Sequence, residues 1–152
     1  MRPRALEPGD ADSARALVHR ALGGSRHAGR VLELLDVACT GADAECVALV
    51  VAGIDPLLAC GLVLFGPVAG ATGVLKIHAL VGANADVMVT LVNAIVLGPQ
   101  GRAARVIVCE IADDKACAVA ARALLASAFA QEGRVEDYFA DGVNLDILAL
   151  RP

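Results

Sequence analysis

The sequence predicts an α+β domain in which a mixed sheet carries helices on its faces. Segments with strand-like apolar runs and segments with helix-like apolar spacing follow one another in the order β-α-α-β-β-β-α-β-α-β-β. The chain has 152 residues and shows neither an internal repeat nor a linker, which predicts one domain over residues 1–152. Apolar residues make up 57% of it, enough to exclude a disordered chain.

The first half of the chain is predicted to hold a short strand, two helices and three strands. In the first helix, Ala14, Leu17, Val18 and Ala21 share one face, and Asp10 stands in the N-cap position. The predicted ranges are 1–6 for the strand, 11–22 and 27–39 for the helices, and 47–52, 58–65 and 73–80 for the strands. Short turns join the last three strands, so we expect them to be antiparallel.

The second half is predicted to alternate helices and strands before it closes with a hairpin. Gly98 and Pro99 end the first of these helices, and Ala140-Asp141-Gly142 forms the final turn. The predicted ranges are helix 86–97, strand 105–111, helix 115–130, and strands 133–138 and 144–150.

Charge and cysteine usage exclude several classes of protein. The formal net charge of -4 disfavours nucleic-acid binding, which needs a basic surface. Residues 56–75 are uncharged and long enough to span a membrane, but their glycines and prolines favour strands and turns, so we expect no membrane span. The five cysteines lack Cys-x-x-Cys spacing, and no secretory signal is evident at the N-terminus, so we expect a cytoplasmic protein with free thiols.

Several segments, in their order and spacing, resemble the GNAT superfamily of acyl-CoA-dependent N-acetyltransferases over nearly the whole chain. They are Arg2–Ala11, Ala59–Pro67, Ala121–Leu125, the stretch from Phe129 to Phe139 that ends with Val135–Phe139, and Asp141–Leu145. The resemblance implies a GNAT-like fold with a V-shaped opening between the fourth and fifth strands that holds the acyl-CoA thioester. It also implies acetyl-CoA as co-substrate and an amine as acceptor.

The resemblance places the CoA pyrophosphate at the loop that precedes helix 86–97. The matching positions are Leu80, Val81, Gly82, Ala83, Asn84, Ala85, Asp86 and Val87. The loop departs from the family pattern: Ala83 stands where Gln or Arg is expected, Asp86 and Met88 stand where small residues are expected, and the loop looks shortened. We interpret Asp86 as a helix N-cap whose carboxylate would repel the pyrophosphate.

Three residues are candidates for the chemistry that the resemblance implies. His78 on the fourth strand is the best-placed base, Glu110 at the end of the facing strand could act through a water, and Tyr138 could reach the cleft. Each also has a purely structural interpretation. The tyrosine that the family commonly carries in its last helix is replaced by Leu124 and Leu125, so this general acid does not carry over.

No metal site is expected, because His19 and His27 lack ligand spacing with any cysteine and are interpreted as surface residues. Cys109 and Cys117 flank the expected cleft without a basic neighbour in sequence.

Helix 86–97 is apolar on all sides, which predicts that a second subunit covers it, either a second copy or another GNAT-like chain. Two functions remain open. One is a divergent acetyltransferase in which the backbone near Leu80–Gly82 holds the thioester carbonyl. The other is a catalytically inactive GNAT-like module for dimerisation, partner binding or small-ligand binding.

Overall fold

The computed structural model describes residues 1–41 and 45–152. The strands are β1 Arg4–Ala5, β2 Val47–Ala52, β3 Ala59–Pro67, β4 Val74–Gly82, β5 Val106–Ala112, β6 Ala130–Ala140 and β7 Val143–Leu150. The helices are α1 Ala11–Leu22, α2 Ala28–Thr40, α3 Ala85–Leu97, α4 Pro99–Ala103 and α5 Ala118–Ala126, with a 3-10 turn at Pro8–Asp10. The predicted element order is therefore confirmed in the described chain, with the short α4 as an addition.

The strands form one mixed sheet in the order β1-β2-β3-β4-β5-β7-β6. Among the described strands only β4 and β5 are parallel neighbours, and they pair over four residues each, from Val74 opposite Val106 to Ile77 opposite Cys109. Beyond that point both strands continue, but they no longer pair with one another. The sheet therefore opens between β4 and β5, at the place the family resemblance implies.

Helices cover both faces of the sheet and create two apolar layers. The layer under α1 and α2 contains Ala14, Leu17, Val18, Leu22, Val31 and Leu35. The layer under α3 and α5 contains Val87, Met88, Leu91, Val92, Ile95, Ala120, Ala123 and Leu124. The predicted burial of Ala14, Leu17 and Val18 on the first helix is confirmed. Ala21, also predicted on that face, is exposed, and Leu22 is buried instead.

The helix predicted over 115–130 is shorter at both ends than expected. Asp114 accepts a hydrogen bond from the Cys117 backbone N–H at 3.0 Å, and α5 begins just after this turn. Ala128 has a φ of 67°, a left-handed conformation that ends a helix. Phe129 then enters the apolar layer and Ala130 begins β6.

The apolar helix α3 is covered largely by its own chain. Val87, Met88, Leu91, Val92 and Ile95 are buried against the sheet and α5, while Leu97 at the C-terminal end is 64% exposed. In the described part of the chain, no helix has both the length and the apolar character needed to cross a membrane.

Close packing of α3 depends on Gly61 in β3. A Cβ on Gly61 would overlap the Val87 Cγ1 atom and touch the Leu91 side chain. The missing side chain therefore lets the start of α3 approach the sheet next to the opening between β4 and β5.

Candidate functional site

A bulge at His78 lies where the sheet opens. Leu64 of β3 pairs with Ala79, whereas the next residue, Phe65, pairs with Ile77, so His78 is an extra residue on β4. The alternation of side chains reverses there: Ile77 packs in the α3/α5 layer and Ala79 in the α1/α2 layer. For the same reason Leu80 lies with Ile77 in the α3/α5 layer, although the two residues are three positions apart.

A cavity of about 120 Å³ lies in this opening. Both strands line it, with His78, Leu80 and Val81 from β4 and Glu110 from β5. Met88 of α3 contributes from one face of the sheet, and Val31 of α2 from the other. The cavity is therefore lined by residues from both faces of the sheet.

The two predicted bases on the strands have different surroundings. The Glu110 carboxylate accepts a 2.6 Å hydrogen bond from the Lys76 ammonium, so its charge is already paired on the sheet surface. His78 is half-buried and lines the cavity at the bulge itself. Both residues therefore line the opening, His78 from β4 and Glu110 from β5.

Tyr138 lies at an outward bulge of β6. The register of β6 against β7 breaks between Val135 and Ala140, and Tyr138 is 60% exposed. The neighbouring residue Phe139 lines the cavity instead. The Tyr138 ring packs edge-on against the Phe139 ring, with the two ring centroids 4.9 Å apart. The Phe139 carbonyl also accepts a hydrogen bond from Arg26, which ties this bulge to the loop between α1 and α2.

The structure brings together three residues that the sequence keeps far apart: His27, Asp114 and Cys117. The His27 Nε2 atom lies 2.7 Å from the Asp114 Oδ2 atom, and both side chains are more than four-fifths buried. Donor atoms of all three residues lie within 4.8 Å of one another. His27 is therefore not the surface residue we expected, and together with Cys117 it lines the cavity.

Burial and hydrogen bonding shape the protonation of this cluster. Burial opposes the charge on Asp114, yet hydrogen bonds from His27 and from the Cys117 backbone hold the pKa of its carboxyl below the ordinary value. Burial, reinforced by the Asp114 charge, raises the pKa of the Cys117 thiol to about 12. Burial also raises the pKa of the Cys109 thiol, on the cavity wall, to about 12. Both thiols are therefore protonated at neutral pH and are poor nucleophiles.

The predicted pyrophosphate loop is a connection of two residues, Ala83 and Asn84, between β4 and α3. Asn84, not Asp86, is the N-cap, because its side chain accepts a 3.0 Å hydrogen bond from the Val87 backbone N–H. The Ala83 N–H is also taken, since it donates to the Cys60 carbonyl at 2.8 Å. Asp86 is exposed in the first turn of α3, where its charge opposes that of a phosphate.

The remaining positions of the predicted CoA segment lie on both sides of that connection. Leu80, Val81 and Gly82 end β4, and Ala85 and Val87 begin α3. A Cβ on Gly82 would lie 2.9 Å from the Met88 side chain, so this glycine serves the packing of α3. In the last helix Leu124 is buried and Leu125 is half exposed, and neither offers a hydroxyl group.

No family model matches the sequence, and no curated protein matches it significantly. Solved structures resemble the fold closely. A protein from Desulfovibrio desulfuricans assigned to the GNAT acetyltransferases has a TM-score of 0.81 at 17% identity, with 98% of this chain and 97% of that one covered. A ribosomal-protein-alanine N-acetyltransferase from Brucella melitensis has a TM-score of 0.73 at 13% identity, with 100% of both chains covered.

A third neighbour is the Salmonella typhimurium protein yncA, solved with its cofactor acetyl-CoA. Its TM-score is 0.71 at 13% identity, and the match covers 98% of this chain and 92% of that one. These similarities extend over nearly the whole of this chain. The chain has the fold of the GNAT N-acetyltransferases.

Proposed function

We propose that this protein is a divergent acetyltransferase that moves an acetyl group from acetyl-CoA to an amine. The observation that carries the proposal is the opening between β4 and β5, where the strands separate after Ile77 and Cys109 and enclose a cavity lined by residues from both faces of the sheet. An acyl donor on one face and an amine on the other can meet there in the geometry that direct transfer requires.

The thioester arm of the donor fits the opening better than the diphosphate fits the loop. Beyond Ile77 the edge of β4 that faces β5 is unpaired with it, so backbone groups of Leu80–Gly82 are available to the thioester carbonyl. The two-residue connection before α3, its Asn84 cap and the charge of Asp86 leave few donors for a diphosphate. We therefore expect the pantetheine arm to supply most of the affinity for acetyl-CoA.

His78 is the proposed base. Its imidazole takes a proton from the ammonium of the acceptor, and the neutral amine then attacks the thioester carbonyl. Backbone N–H groups of β4 stabilise the oxyanion of the tetrahedral intermediate. Collapse of the intermediate breaks the C–S bond, and the departing thiolate takes one of the two protons left on the attacking nitrogen, directly or through water, while the other stays on the amide. Glu110 stays paired with Lys76 and contributes charge near the acceptor.

The α1–α2 loop and the β6 bulge form the proposed acceptor side. Arg26 and His27 from the loop meet Phe139 from the bulge, with ring centroids of His27 and Phe139 5.3 Å apart. This wall is partly aromatic, and its residues His27 and Phe139 line the cavity. We place the reaction in the cytoplasm, because all five cysteines are free thiols.

Thermal unfolding with and without millimolar acetyl-CoA tests the proposal. At a hundredfold excess over the dissociation constant, binding adds about 2.7 kcal/mol, which raises the Tm of a chain of this size by roughly 5–10 °C. Reversal of the rise by excess free CoA would identify the donor site. The absence of any rise would contradict the enzyme proposal and favour the second function below.

The geometry at the start of α3 favours a second candidate function, a non-catalytic GNAT-like module that binds a partner or a small ligand. Asn84 satisfies the Val87 N–H, and Asp86 already stabilises the positive end of the helix, so the two together replace a bound phosphate. Such a module would bind neither acetyl-CoA nor CoA, whereas an enzyme must bind both.

A further inference from the structure

We propose that His27, Asp114 and Cys117 form a binding site for one zinc-class divalent ion. Asp114 and Cys117 belong to the turn that begins α5, and His27 is the residue that precedes α2, 87 positions away from Asp114. The fold alone brings them together. The proposal goes beyond acetyl transfer and does not depend on it.

The distances are close to those that a tetrahedral ion requires. Zinc lies about 2.0–2.2 Å from nitrogen and oxygen and about 2.3 Å from sulfur, so its ligand atoms are separated by about 3.4–3.6 Å. The donor atoms of the three residues lie within 4.8 Å of one another, and the His27 Nε2 and Asp114 Oδ2 atoms are 2.7 Å apart. Small side-chain rotations would bring all three around one ion.

The chemistry of the donors points to a borderline-soft ion. Imidazole, carboxylate and thiolate together are typical zinc ligands, whereas magnesium and calcium prefer oxygen alone. Three protein ligands leave a fourth position open, and the cavity lined by His27 and Cys117 provides space for a water molecule there. The ion would take the place of the proton shared by His27 and Asp114 and of the thiol proton of Cys117.

Neighbouring groups hold the ligands in orientation. The Asp114 Oδ1 atom accepts a 3.0 Å hydrogen bond from the Cys117 backbone N–H, so the Oδ2 atom remains the one that faces His27. The edge-on contact with Phe139 limits rotation of the His27 ring. The ligands are therefore partly preorganised, which reduces the ordering cost of binding.

Cobalt(II) titration of the metal-free protein, observed by absorption spectroscopy, tests the site. One equivalent should produce a sulfur-to-cobalt charge-transfer band in the near ultraviolet and the visible bands of four-coordinate cobalt, and zinc should displace both. In Cys117→Ser the charge-transfer band should disappear, and in His27→Gln the affinity should fall at least tenfold. Cys60→Ser and His19→Gln carry the same substitutions outside the cluster and should bind as the unaltered chain does.

Two results would overturn the proposal. One is a cobalt spectrum of the unaltered protein that lacks a charge-transfer band, and the other is a band that persists in Cys117→Ser while disappearing in Cys60→Ser. Circular dichroism of each metal-free variant establishes that it is folded, and zinc should raise the Tm of the control variants but not that of Cys117→Ser. Because these measurements use neither acetyl-CoA nor an amine, their outcome is independent of whether the chain transfers acetyl groups.

Discussion

His78 shows how one residue can determine a site. His78 is the extra residue of a bulge in β4, at the point where pairing with β5 stops. This extra residue determines on which face of the sheet each later β4 side chain lies. A sequence pattern can identify a histidine in a strand, but it cannot locate a bulge, because a bulge depends on how the neighbouring strand pairs. His78 was therefore predictable as a candidate, and its place in the opening was not.

If His78 is the base, His78→Gln should lower kcat by about 10²- to 10⁴-fold while the thermal shift with acetyl-CoA is retained. A steady-state assay with a reactive amine, coupled to detection of free CoA, measures the change. His19→Gln is the control, since His19 is exposed on α1. An unchanged kcat in His78→Gln would exclude this role.

Asp10 is expected to make the fold sensitive to acid. Its hydrogen-bonded pair with Arg4 lowers the pKa of the Asp10 carboxyl below the ordinary 3.8. The Asp10 carboxyl therefore takes up a proton more readily in the unfolded chain than in the folded chain. The stabilisation by the ion pair is complete above about pH 4, and it is lost as the pH falls through the lower pKa that Asp10 has in the folded chain. Asp10→Asn should remove up to about 1 kcal/mol at pH 7 and flatten this part of the acid dependence, measured by urea unfolding from pH 7 to pH 2.

At the scale of elements, the start of α3 controls the donor site. Asp86→Asn should increase acetyl-CoA affinity by about twofold to fivefold, because it removes a negative charge from the helix end that would face the diphosphate. Acetyl-pantetheine lacks the diphosphate, and its affinity should be equal in both proteins. Calorimetric titration compares the two ligands, and an equal gain for both would show that Asp86 acts in some other way.

The packing of α3 on β3 should be intolerant of a methyl group at Gly61. Gly61→Ala forces the Val87 and Leu91 side chains to move and should destabilise the fold by about 1–3 kcal/mol. Gly29→Ala is the matched control: it lies in α2 with no atom within 4 Å of the added carbon, and it should be neutral or stabilising. Chemical denaturation of the two variants measures the difference.

At the scale of the whole molecule, the chain itself buries most of the apolar surface that suggested a second subunit. A partner on α3 would meet chiefly Leu97 and the partly buried residues beside it. The hypothesis of a non-catalytic module therefore predicts a concentration-dependent dimer. Its dissociation constant should rise at least tenfold in Leu97→Lys. In the control Leu57→Lys, a substitution in the β2–β3 hairpin, the dissociation constant should be unchanged. Sedimentation velocity over a range of concentrations would measure both, and a monomer throughout would contradict pairing through α3.

The sequence by itself determined the order of the elements, and its resemblance to the GNAT superfamily implied where the sheet opens. Helix α1 and strand β2 have the predicted limits, because apolar periodicity and turn residues act over a few positions along the chain. The tertiary structure decided which side chains meet. Contacts between distant segments produce the bulge at His78 and the cluster of His27 with Asp114 and Cys117. They also place Phe139, and not the predicted Tyr138, on the cavity wall. No local pattern records such contacts, since their energies depend on the packing of the complete sheet and its helices.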